Sequence, residues 1–156
     1  MTAQSSRTAH RPLVSIDAHH DACIDRPDPG VVDRLIDDVA GRDTAALATL
    51  YRILGPHLLR GILSHLPDPA DASSVLCGTF IEVWRMTRHH APARGTGHKW
   101  VTAIATRRVT EQSGIGATAP GSWQAAISHA RTQQHHAELA ALVAGRVPER
   151  GGWVTS

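Results

Sequence analysis

Between Asp43 and Leu66 an apolar residue falls at nearly every third or fourth position. Ala46, Leu47, Leu50, Tyr51 and Leu54 are followed by Leu58, Leu59, Ile62, Leu63 and Leu66. That spacing lines one face of a helix and rules out the alternation of a half-buried strand. Asp43 stands where an N-cap belongs, and Gly55-Pro56 predicts a break or kink midway. The same period returns on both sides. Leu35, Ile36 and Val39 predict a first helix over Val31–Ala40, stopped by Gly41. After the Pro67-Asp68-Pro69 turn, Val75, Leu76, Phe80, Val83 and Trp84 predict a third helix over Ala70–Arg88, capped by Asp68 or Asp71. Trp100, Val101, Ile104, Ala105 and Val109 predict a fourth over His98–Gln112, ended by Gly114 and Gly116. Core packing is the expected role of Trp84 and Trp100.

Composition agrees with helices. Apolar residues make up 42% of the 156, but aromatics only 4%, and Ala supplies much of the rest. A sandwich of strands would need more Val, Tyr and Phe. The expected fold is therefore all-α, a small bundle of about four helices over residues 31–112. Residues 1–30, with Pro12, Pro27 and Pro29 and no period, are expected to be a flexible arm. Residues 113–121 are expected to be a linker. Residues 122–156 are expected to hold one further helix over Ser122–Ala144 with a thin, Ala-rich stripe, then a frayed tail. A core this small leaves stability marginal unless a partner adds to it.

Charge divides the bundle. From Asp33 to Glu82 acids outnumber bases. From Arg85 to Arg108 there are six cations and no acid. One half suits a protein partner and the other a polyanion. Two cysteines, Cys23 and Cys77, make no disulfide framework, and Cys77 is expected to be a buried thiol. The N-terminus has no apolar signal-peptide core and no run reaches the roughly 20 apolar residues of a membrane span. A reduced cytoplasm is the expected location. Two His-rich groups, His19-His20-Asp21 with Cys23 and His129 with His135-His136, invite a metal reading. They lie in expected tails, and adjacent His side chains diverge on a helix, so no metal or other cofactor is expected. No nucleophile–base set or carboxylate pair stands out, so an enzyme is not expected.

Three stretches, in order and without gaps, carry a family resemblance. Gly41-Arg42-Asp43-Thr44-Ala45-Ala46-Leu47-Ala48-Thr49-Leu50-Tyr51 fits GDxxAFxxLY. Residues 68–85, from Asp68-Pro69-Ala70-Asp71 to Glu82-Val83-Trp84-Arg85, fit DPADAEDVVQEVFLEVWR. Residues 91–108, Ala91-Pro92-Ala93-Arg94-Gly95 through Ile104-Ala105-Thr106-Arg107-Arg108, fit DPARGSxxAWLLTIARRR. Together they resemble region 2 of bacterial sigma factors of the extracytoplasmic-function (ECF) type, over about half of the chain.

The resemblance implies a transcription-initiation role and two surfaces. On the third helix, Asp71, Ser74, Cys77, Ile81, Glu82 and Arg85 would meet the clamp helices of the largest RNA polymerase subunit. On the loop and fourth helix, Arg94, Thr96, Lys99, Thr102, Thr106, Arg107 and Arg108 would capture the unpaired non-template strand of the promoter's minus-ten element. The residues suit that chemistry on their own terms. A single strand needs cations for its phosphates and a pocket for a flipped base, and Gly95-Thr96-Gly97 permits close backbone approach. Arg107-Arg108 would equally complement the macrodipole at a helix end.

Two departures from the family stand out. Its acidic pair, Gln and Glu on the third helix correspond to Ser73, Ser74, Cys77 and Gly78. Charged pairs at an interface are worth one to several kcal/mol, so docking would be weaker. Gly78 inside a helix costs roughly 1 kcal/mol more. The residues after Gln112 also carry no helix-turn-helix pattern of the kind that reads a minus-35 element, so region 2 is expected to stand alone. A second expectation follows. The chain could be a regulatory module that kept the fold but lost initiation and binds an anti-sigma factor or another protein.

Overall fold

A computed structural model of the chain describes residues 27–89, 92, 93, 95–116 and 122–146; for residues 115, 116 and 122–128 it describes the backbone alone. The expected arm lies almost wholly outside the described residues, and so does the tail beyond 146. The described residues form five α-helices and no strand: α1 (Pro29–Ala40), α2 (Thr44–Leu63), α3 (Pro69–Met86), α4 (Gly97–Gly116) and α5 (Ser122–Val143). The all-α bundle and its extra C-terminal helix are as the periodicity indicates.

Each of the first three helices starts on an aspartate. Asp28 accepts from Gly30 N at 2.8 Å, Asp43 from Ala45 N at 2.8 Å, and Asp68 from Ala70 N at 2.7 Å. Each carboxylate satisfies N–H groups that have no partner within the helix. Pro29 and Pro69 follow two of these caps at the first helical position, where a proline loses nothing. Of the two aspartates that could cap α3, Asp68 does so. At the other end of the chain, Arg146 N bonds Ala141 O at 2.8 Å and Gly145 N bonds Leu142 O at 3.0 Å. With Gly145 at φ 75°, this is a Schellman motif, and it closes α5 firmly.

Two expected boundaries move. α2 does not break at Gly55-Pro56 but continues through it as one helix. Pro56 is exposed, so its ring points away from the core, while Leu54, Leu58 and Ile62 carry the buried stripe across it. Burial of that stripe outweighs the lost hydrogen bond. α4 continues past Gln112 to Gly116, so residues 113–116 belong to the helix and not to the linker.

α3 is the central element. It packs against α2, α4 and α5, while α1 packs against α2 and α4. Residues 74–81 of α3 are buried without a break, as expected of a helix covered on nearly every side. The core joins Val32, Ile36 and Val39 of α1, Leu47, Leu50, Leu54 and Leu58 of α2, Phe80, Val83 and Trp84 of α3, and Val101, Ala105 and Val109 of α4. Tyr51 meets Phe80 edge to face, with ring centroids 4.9 Å apart. Leu139 and Leu142 bring α5 into the same core, so the C-terminal helix is part of the bundle. The turn after α1 holds Arg42 in the left-handed region, φ 71°. Its guanidinium lies 4.8 Å from the Trp84 ring and donates to Trp84 O at 3.2 Å. These contacts offset the strain of a non-glycine residue there.

Candidate functional site

α4 starts from a capped glycine turn. Asp33 of α1 accepts from Gly95 N and, at 3.1 Å, from Gly97 N. Gly95 sits at φ 80°, and a Cβ on Gly97 would lie 2.6 Å from Asp33 Oδ1 and 2.7 Å from Ile36 Cδ1. Gly95 therefore avoids the strain of a left-handed backbone, and Gly97 leaves room for Asp33 and Ile36. The Asp33 carboxylate already occupies the place at this helix start where a phosphate would otherwise bind. Thr96, half-buried on the same loop, donates its hydroxyl to Ala93 O at 2.5 Å.

Along α4 the residues expected to hold nucleic acid separate into two groups. Lys99, Ala103, Arg107 and Thr110 are exposed and Thr106 half-buried, forming one open stripe. Thr102, one turn before Thr106, is instead buried, and its hydroxyl has no hydrogen-bond partner among the described residues. Arg108 is also turned inward, with its side chain only 23% exposed. Arg94 lies outside the described residues. The open candidates on this face are therefore Thr96, Lys99, Thr106 and Arg107.

The residues expected to meet polymerase form one continuous face of α3, and the molecule itself covers that face. Ser74, Cys77 and Ile81 are buried. Asp71 accepts from Gln112 Nε2 at 3.1 Å. Glu82 accepts from Arg107 with one oxygen and from Arg108 Nε at 2.9 Å with the other. α5 closes the rest. Ser73 Oγ lies 2.8 Å from His136 Nε2, Ser74 Oγ lies 3.4 Å from His135 Nδ1, and Arg85 pairs with Glu138 at 2.5 Å. Thus Glu82 ties the two expected surfaces together, and two of the cations expected to meet DNA are partly neutralised by an acid expected to meet protein.

Gly78 explains how these helices come so close. A Cβ there would lie 2.5 Å from Arg108 Nη1 and 3.4 Å from His135 Cε1. The mid-helix glycine leaves room for a guanidinium and an imidazole above α3. Beside it is a cavity of about 70 Å³ lined by Ser74, Arg108, Glu111, Gln112, Arg131 and His135. Burial, and then the charge on Arg108, hold the His135 imidazole below its ordinary pKa. Burial pushes the Cys77 thiol up to about 11, which keeps it protonated and unreactive. Among the described residues no three His, Cys, Asp or Glu side chains converge as a metal site, and no helix is long and apolar enough to cross a membrane.

Comparison of the chain with protein-family models, with curated proteins and with solved structures finds no match.

Proposed function

We propose that this chain is a sigma region 2-like protein of the cytoplasm. It binds RNA polymerase core and the unpaired minus-ten strand of a promoter, and it carries out no bond chemistry of its own. The motif order across residues 41–108 supports this reading, but the observation that carries it is the open stripe of α4. Lys99, Thr106 and Arg107 share that exposed side, next to a loop fixed by Asp33. Cations and hydroxyls on a rigid helix suit the backbone of a single strand. The test is fluorescence anisotropy of a labelled minus-ten oligonucleotide across a salt series, with co-purification on core polymerase. Binding that falls steeply with salt and retention on core are expected. The absence of both at physiological salt would sink the proposal.

A second reading has its own support. Every polar group of the expected polymerase face is satisfied inside the chain, by Gln112, Arg107, Arg108, His135 and Glu138. A face so occupied favours a regulatory module that keeps the fold, has lost initiation, and binds an anti-sigma factor or another protein through the helix faces that would otherwise meet polymerase. It would give no transcript when mixed with core and a minus-ten template. Promoter-specific transcription from that mixture excludes it.

A further inference from the structure

α5 holds itself on α3 by two kinds of contact. Leu139 and Leu142 enter the core, and a polar row (His135, His136, Glu138) meets Ser74, Ser73 and Arg85. Of the polar row, only His135 reaches into the cavity among α3, α4 and α5. Two cations and two acids surround it. From α4 come Arg108 and Glu111, and Arg108 is already bound to Glu82 of α3. From α5 come Arg131 and Glu138, and Glu138 is already bound to Arg85 of α3. α3 itself presents hydroxyls, and Asp71 beside them is bound to Gln112. α2 approaches the far end of α5, where Thr44 lies beside Gly145, and brings no charge to His135.

We propose that His135 is a proton-operated latch. Neutral, it seats α5 over the face formed by Ser73, Ser74, Gly78 and Arg85; protonated, it puts a third positive charge beside Arg108 and Arg131 and loosens α5 from that face. This geometry does not depend on the functional reading above. Linkage fixes the direction. The docked imidazole has a lowered pKa, and a released one titrates near 6.5. The docked state therefore binds fewer protons. Docking is complete above about pH 6.5 and weakens as pH falls through and below that value. Ser74 and Glu138 favour the proton slightly, but burial and Arg108 outweigh them.

The experiment is amide hydrogen exchange on the full chain at about pH 7.5 and about pH 5.5, on either side of the histidine range. Rates are converted to protection factors, which removes the intrinsic pH dependence of exchange. Protection of residues 129–143 is expected to fall by roughly threefold or more in acid while the core of α2 holds. His135→Gln keeps a hydrogen-bonding side chain that cannot charge, and its α5 protection is expected to be the same at both values. Unchanged protection in the parent chain overturns the latch, as does an equal acid loss in His135→Gln. If His135→Gln leaves α5 undocked at both values, Arg131→Gln decides. Removing that cation eases protonation of the docked imidazole, so the acid loss should shrink; a loss as large as the parent's overturns the proposal.

Discussion

The guanidinium of Arg108 lies across Gly78, so close that a Cβ at Gly78 would stand 2.5 Å from Nη1 and 3.1 Å from Cζ. The same side chain is anchored to Glu82 through Nε at 2.9 Å. The middle of α4 and the middle of α3 are thereby held at a close separation for which the missing side chain of Gly78 leaves room, with His135 of α5 beside the same spot.

Gly78→Ala sets two effects against each other. Alanine inside a helix is favoured by roughly 1 kcal/mol over glycine. The new methyl displaces the guanidinium and disturbs the pair with Glu82, which is worth a similar amount when partly buried. Net stability by urea unfolding is expected to stay within about 1 kcal/mol of the parent. Hydrogen exchange separates the two effects, because residues 129–143 should lose protection even where global stability does not change.

Asp33→Ala removes the acceptor for both Gly95 N and Gly97 N. Loss of such a cap, with two N–H groups left unsatisfied at a helix start, costs about 1–2 kcal/mol. The urea midpoint should fall accordingly, and exchange at residues 95–99 should rise first. Asp33→Asn keeps one acceptor oxygen and should lose less.

Pro56→Ala is expected to stabilise the chain. The ring stands exposed in an otherwise continuous α2 and removes one helical hydrogen bond. Alanine restores the bond, and the greater freedom of the unfolded chain takes back part of the gain. A net rise of about 1–2 kcal/mol in urea unfolding is the expected result.

The helices were legible because their caps and stripes are local. Asp43 with Leu47, Leu50 and Leu54, and Asp68 with Pro69 and Val75, announce start, face and direction within a few residues. What was illegible is tertiary. Pro56 reads as a break because a local rule cannot weigh the buried stripe beneath it. Asp33 reads as one more acid on the first helix, and nothing nearby in sequence says that it caps the fourth. Gly78 reads as a defect in the third helix until Arg108 and His135 are seen above it. The candidate site shows the same split. Lys99 and Arg107 are exposed as their helical positions suggest, but Thr102 and Arg108, equally polar, are turned inward by a rotation that the thin stripe of α4 leaves undetermined. The signal for α5 on α3 was weakest of all, since Leu139 and Leu142 are the only deeply buried side chains among the described residues of α5.

Alkali should weaken the bundle through Cys77 and Tyr51. Burial pushes the Cys77 thiol up to about 11 and raises the Tyr51 hydroxyl as well. Both folded groups hold their protons more tightly than the unfolded chain does. Their contribution is whole below about pH 9 and is lost as pH rises through about 11. Urea midpoints measured from about pH 8 to about pH 11 should fall, and Cys77→Ala should flatten part of that fall. Alkylation of Cys77 in the native chain should be slow throughout the neutral range.

Glu82→Gln tests the proposed DNA face from the inside. In the parent chain Glu82 holds Arg107 and Arg108 at once. Glutamine keeps the length and one acceptor but releases the charge of both cations. Stability should fall by about 1 kcal/mol, because Arg108 remains half-enclosed and loses its counter-charge. If α4 meets a single strand, affinity for a minus-ten oligonucleotide should rise in the same variant. Each additional phosphate neutralised steepens the plot of log affinity against log salt by about 0.7. Lys99→Gln should move that slope the other way by about the same amount and leave stability alone, since Lys99 is exposed. The two variants therefore move affinity in opposite directions while only one of them loses stability, a pattern that a change in folding alone does not produce. An unchanged salt slope in both would remove α4 from the nucleic-acid interface.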